Sequence, residues 1–183
     1  MTDYGKARPS WVDYPVHERL LTSLTTDTPL LVDVEGGLDR DISHFYSRFP
    51  DAEGALILQD TPSVITQAQS SIPALPPAIT ATAQDFFTPQ PVFAHHARAY
   101  YLHLMLRDWD HASCRTMLGH VRDAMKPGYS KVLINENVEG WSTMMQFRLI
   151  TETLFASSFV STTHMTILGR TGNCDLHLLR SWK

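Results

Sequence analysis

A chain of 183 residues, 43% hydrophobic and 19% charged, has the size and mix of one globular domain with a sizeable core. Its net charge of −4 carries no lysine or arginine block, which speaks against nucleic acid or an anionic membrane as the main partner. No apolar run reaches bilayer length and the opening "MTDYGKARPSW" has no apolar core, so neither a membrane span nor a signal peptide is expected, and the reading is a cytoplasmic protein.

In chain order, residues 1–29 form a polar segment with a short helix around Val16 to Leu24, and a single domain is expected over 30–183. "PLLVDV" is apolar, β-branched and short, the pattern of a fully buried parallel strand. It runs into the glycine turn of "LLVDVEGGLDRD". "DISHFYSRF" suits a crossover helix to a second strand, "GALILQD", which ends at Asp60. "SSIPALPPAIT" holds three prolines and reads as a loop. "ARAYYLHLM" is the third clear strand, "DHASCRTMLGHVRDAM" a helix ended by "KPGY", and "SKVLINENV" a fourth strand. A helix is expected from Ser142 to about Phe155. "STTHMTILG" and "CDLHLLRSW", bridged by "RTGN", read as a closing antiparallel hairpin.

This alternation implies a three-layer α/β sandwich. Ligands of such sheets bind beyond the carboxyl ends of the strands. Here those ends are Val34 to Gly37, Asp60, Asp85 to Phe87, His103 to Trp109, and Glu136. Cys114 and Cys174 lie far apart and make no metal spacing; buried free thiols are the plain reading. His95, His96, His103 and His111 fit no standard zinc pattern, so no metal is expected. Phe86, Phe87, Tyr100, Tyr101, Trp109 and Trp141 could line an aromatic pocket, although core packing explains most of them, as it does Met144 and Met145.

Six landmarks in order, "RPSWVDYPVHERL", "LLVDVEGG", "ALILQDTPSVI", "QDFFTPQPV", "ARAYYLHLMLRDWD" and "AMKPGYSKVLINENV", resemble the fungal branch of the plant-type, S-adenosylmethionine-dependent O-methyltransferases over roughly Trp11 to Val138. The tail "RTGNCDLHLLRSW" resembles that family's last strand. The resemblance implies an α/β/α Rossmann-like methyltransferase sandwich with a C-terminal antiparallel hairpin. It also implies a "DVGGGxG" loop against the cofactor, an acid on the ribose hydroxyls, and an "HDW" histidine that deprotonates the substrate. A glutamate in an "ERT" segment orients that histidine, and an N-terminal helical domain dimerises and closes the pocket.

Carried onto this chain, the ribose acid matches Asp60, and the adenine-side "DFF" matches Asp85 and Phe86. Gly36 and Gly37 remain in the loop, but Glu35 and Asp39 stand where the family has glycine. "HDW" reads "RDW", which puts Arg107 at the base position, and "FRLITET" keeps no clean "ERT"; Glu152 is out of register. The helical domain has no counterpart here. Glycine in such a loop serves positive φ or close backbone approach. Arginine stays protonated at any useful pH, so Arg107 cannot be a general base.

The cofactor positions Gly36, Gly37, Asp60, Asp85 and Phe86 therefore read as vestigial, no cofactor is expected to bind, and Asp39 serves the following helix as a cap. Arg107 is expected at the pocket floor, held by Asp108 or Asp110, with His103 as a second donor or base, although a histidine on a strand is more often a satisfied core residue. Alternatively, Arg107 is a surface arginine paired with Asp108 or Asp110. Three functions follow. The first is a cofactor-independent catalyst of cyclisation or pericyclic type on a polyketide-like metabolite. The second is a non-catalytic partner of a full-length enzyme, and the third a residual methyltransferase. The expected partners are a small-molecule metabolite and, as homodimer or heteromer, another biosynthetic chain; nucleic acid and membrane are not expected.

Overall fold

The computed structural model describes residues 14–25 and 27–135, and the backbone of the strands at 164–171 and 174–180. The helix expected from Ser142, the aromatic Trp141, Met144, Met145, Glu136 and Glu152 lie outside the described residues.

Seven strands form one sheet: β1 (Leu31–Val34), β2 (Leu56–Asp60), β3 (Ile79–Ala83), β4 (Ala99–His103), β5 (Lys131–Asn135), β6 (His164–Thr171) and β7 (Cys174–Arg180). Their order is β3-β2-β1-β4-β5-β6-β7. Neighbours are parallel as far as β6, while β6 and β7 pair antiparallel, Met165 opposite Arg180 and Thr171 opposite Cys174. The chain leaves β1 towards β2 and β3, then returns to place β4 on the other side of β1. The gap beyond β1 and β4 is thus a topological switch point, where an open sheet leaves room for a ligand.

Period-two alternation divides the core between the two faces of the sheet. Val32, Val34, Ile57, Tyr100, Leu102, Val132 and Ile134 pack against α3 (His111–Ala124), which contributes Met117, Leu118 and Val121. Leu31, Leu58, Tyr101 and Leu133 pack against Ile42 and Phe45 of α1 (Arg40–Arg48) and Ile65 and Ala68 of α2 (Pro62–Gln69). Helices on both faces complete the three layers. α3 starts where Asp110 Oδ1 accepts the Ser113 N–H at 2.8 Å, and this bond holds the Asp110 carboxyl below its usual range. Cys114 is buried on this helix, its thiol donating to the Leu106 carbonyl at 3.2 Å.

Two expectations need correction. The segment "SSIPALPPAIT" is not loop throughout: Ile79 begins β3, directly after its prolines, and pairs with Leu56. Its sequence, ITATA, carries little apolar signal because an edge strand buries one flank and little of either face. The helix expected over Val16 to Leu24 is a single π-turn, His17–Leu21. It is held by tertiary contact. Leu20 is fully buried, and the Arg98 guanidinium donates to the carbonyls of Arg19, Leu20 and Thr22.

Candidate functional site

Beyond Val34 the backbone takes left-handed conformations at alternate residues: φ is 58° at Glu35, 64° at Gly37 and 80° at Asp39. The turn therefore follows a glycine-type path although two of the three residues carry side chains. Gly36 is constrained differently. A Cβ there would lie 2.5 Å from Leu58 Cδ1 and 2.7 Å from the Asp33 carboxyl, so any side chain at 36 requires these two buried side chains to shift. Gly37 donates its N–H to Asp60 Oδ2 at 2.9 Å, and the other Asp60 oxygen accepts from Thr61 N at 2.7 Å. Asp60, at the end of β2, is buried and ties the loop to the sheet.

Asp39 occupies the residue before α1, but its side chain caps no backbone N–H. It accepts the Ser43 hydroxyl at 2.7 Å, because the left-handed φ turns it away from the first amides. A non-glycine residue in this conformation costs roughly 1–2 kcal/mol. Glu35→Gly and Asp39→Gly each relieve this cost, set against glycine's larger backbone entropy and the loss of the side chain's own contact, which for Asp39 is the Ser43 hydroxyl.

Asp33 lies directly beneath this turn. It is fully buried, with neither oxygen in hydrogen-bond geometry. Burial raises its pKa well above the usual carboxylate range, the charges of Asp41 and Asp60 raise it further, and the nearby Ile42 amide pulls the other way. The same carboxylates that favour its proton give the loop region a negative field.

Over the turn is a cleft of about 380 Å³ at the switch point. Glu35, Gly36, Gly37 and Leu38 form one side, Arg40 and Asp41 open α1 on another, and His103, Leu104, Met105 and Asp108 close it from β4. Within it His103 Nδ1 hydrogen-bonds to Asp41 Oδ2. The His103 side chain is 5% exposed, and its Nε2 has no hydrogen-bond partner among the described residues.

The structure thus brings Gly36, Gly37, His103 and Asp108 together around the cleft, holds Asp60 against Gly37 from outside the lining, and leaves Arg107, Asp85 and Phe86 apart. Arg107 is not at a pocket floor. It sits on the short turn Leu106–Asp108 with its side chain 46% exposed and its Nε 3.9 Å from Asp108 Oδ1, outside the residues that line the cleft. Leu106 takes the buried position of that turn, which leaves its neighbour facing water. This is the surface pairing with Asp108, and such a pair contributes about 0–1 kcal/mol. Asp85 is exposed and accepts the Phe87 N–H at 2.9 Å, while Phe86 packs into the α3-side core. Trp109 meets Phe87 edge-on, ring centres 4.9 Å apart, and Tyr100 is a core residue bonded to the Ala94 carbonyl. No metal-binding cluster occurs among the described residues. Sequence reasoning missed Asp41 and Asp33. Their only signal was position, on either flank of the glycine turn.

Comparison with known proteins follows the same geometry. A family model described as "O-methyltransferase domain" matches residues 16–158. "Methyltransferase cfoC" of Aspergillus candidus is 41% identical over 130 residues, which is 69% of this chain and 31% of that protein. "Demethylsterigmatocystin 6-O-methyltransferase stcP" of Emericella nidulans is 39% identical over 133 residues, 72% of this chain and 61% of that protein. The chain therefore spans about a third of the first relative's length. Among solved structures, LepI in complex with S-adenosylmethionine superposes with a TM-score of 0.64 at 26% identity, covering 81% of this chain and 38% of that one. The family model covers well over half of the chain and the relatives are fungal methyltransferases: this chain belongs to the O-methyltransferase family.

Proposed function

We propose that this chain is a methyltransferase-fold catalyst of fungal secondary metabolism that no longer transfers methyl groups and instead promotes a cyclisation or pericyclic step on a polyketide-like metabolite. The observation that carries this reading is Arg107. The position of the family's base holds a permanently charged, exposed side chain, 3.9 Å from Asp108, which cannot accept a proton from a hydroxyl. What remains is a cleft with His103 as a buried polar group, and such reactions need a shaped site and a few oriented donors or acceptors. The likeness to LepI, and to a structure described as "A Pericyclic Reaction enzyme" at 26% identity and a TM-score of 0.63, supports the reading.

S-adenosylmethionine, the family's cofactor, does not fit the described residues. The cleft is lined by the turn, the start of α1 and the end of β4. Asp60, Asp85 and Phe86, which would seat the adenosine half, do not line it. Glu35 adds a carboxylate to that lining, which does not favour an anionic group there. No step is therefore routed through it.

The test is a single incubation of the full chain with methyl-tritiated S-adenosylmethionine and a panel of phenolic and hydroxy-enone polyketides. The expected result is an isomer of unchanged mass and no tritium in any product. Labelled product would overturn the reading. Arg107→His should remain unlabelled too, because restoring a base does not restore a seat for the methyl donor.

A second reading, a partner of another biosynthetic chain, is favoured by one apolar turn: Val92 is 84% and Phe93 53% exposed. Light scattering at micromolar concentration should then report a dimer that Phe93→Ser weakens. A monomer at that concentration counts against it.

A further inference from the structure

His103 and Asp41 come from elements 62 residues apart in sequence and meet across the switch point. A carboxylate accepts a proton from a ring nitrogen and offers none, so this contact sets the tautomer: Nδ1 carries the hydrogen and Nε2 the lone pair. The lone pair is buried in the cleft wall with no partner among the described residues. A nitrogen so placed addresses an O–H or N–H of whatever occupies the cleft. The Tyr101 ring, 5.7 Å away on the same strand, backs the imidazole, while Glu35, Arg40 and Asp108 are the other charged groups of the lining.

We propose that His103 is the proton-handling residue of this cleft and Asp41 its positioning residue, acting on a ligand that carries a hydroxyl or enol and a conjugated carbonyl. The proposal rests on the reading of the cleft as catalytic. In the step, the ligand O–H breaks and its proton moves to Nε2. The electron pair left on oxygen forms a C–O bond to the β-carbon of the enone in the same molecule. The displaced C=C pair shifts through the carbonyl to the α-carbon, which takes the proton back from Nε2. The product is an isomer; nothing is oxidised or reduced, and no co-reactant is consumed. Asp41 fixes the ring and balances the imidazolium.

The experiment uses the full chain with 2′-hydroxychalcone as probe, whose ring closure to flavanone is read as loss of absorbance. The wild type should close the ring well above the buffer rate. His103→Gln should lose roughly 10²–10⁴-fold, the usual worth of a positioned base. Asp41→Asn should lower kcat tenfold or more with KM nearly unchanged, and in ¹⁵N spectra of the histidine rings it should move hydrogen from Nδ1 to Nε2 of His103. A merely structural role for Asp41 would not move that signature. A wild-type rate equal to buffer overturns the proposal, as do fully active, folded His103→Gln protein or a wild-type His103 protonated on Nε2 alone. Failure here without tritium transfer in the assay above leaves a base-free rearrangement standing. Tritium transfer together with ring closure overturns the broader reading and leaves the His103 assignment intact.

Discussion

Replacing Arg98 with alanine should destabilise the fold by about 2–4 kcal/mol, the scale of losing several hydrogen bonds from one charged donor to backbone carbonyls. The guanidinium, on a residue 8% exposed, is the common donor for four carbonyls: Arg19, Leu20 and Thr22 in the N-terminal turn and Tyr129 before β5. It also lies 4.9 Å from the centre of the Tyr129 ring. Alanine leaves the Leu20 carbonyl buried and the other three part-buried without this donor, and a fully buried loss costs about 1–3 kcal/mol, not additively. Lysine restores the charge but not the planar fork, so Arg98→Lys should recover less than half. Denaturant unfolding gives the total. Hydrogen exchange should show the amides of 17–22 opening first, since Arg98 holds the carbonyls of Arg19, Leu20 and Thr22 to the sheet. A loss under 1 kcal/mol in alanine would mean that water reaches these carbonyls and that the turn docks through Leu20 alone.

Asp33→Asn should do the reverse, and only at neutral pH. Burial first, then Asp41 and Asp60, hold the Asp33 carboxyl well above the ordinary range. The folded chain therefore keeps a proton that the unfolded chain releases near pH 4. The stability tied to that proton is whole below about pH 4 and drains away as pH rises towards the folded value. Asparagine has nearly the same shape and no proton to lose. Its gain should be close to zero at pH 4 and reach about 1–3 kcal/mol at pH 7, the scale of an unsatisfied buried polar group. Urea midpoints of both proteins at the two pH values decide it. An equal gain at both would show that shape, not charge, made the difference.

Much of this architecture could be read from local pattern. β1, β2, β4 and β5 announce themselves because strands buried on both faces must be continuously apolar, and α1 and α3 because a stripe of apolar residues at helical spacing has to face the sheet. β3 and α2 did not, for the same reason in reverse: ITATA and PSVITQAQ bury so little that their sequence carries almost no contrast. The site shows a similar split. The glycine turn, and with it Gly36 and Gly37, was legible as a local motif. The pairing of His103 with Asp41 was not, because it depends on which strand follows β1 in space. Arg107 shows what a motif leaves out. Sequence gave its register beside Trp109, but whether it faces pocket or solvent was decided by Leu106 taking the buried position of a three-residue turn.

The two glycines of the turn persist for different reasons, and neither requires a ligand. Gly37 has a left-handed φ and open space around the missing Cβ; Gly36 has ordinary φ and no space at all. A genetic drift that erased every cofactor contact would still be free to fill positions 35, 37 and 39 at a modest penalty, yet at 36 would have to displace the buried Leu58 and Asp33 side chains that occupy the volume. A glycine in this turn is thus poor testimony to a living cofactor site, and a pattern search that scores it as one counts a packing constraint as function. Diagnosis of activity in such sequences belongs to the residues that packing leaves free to change.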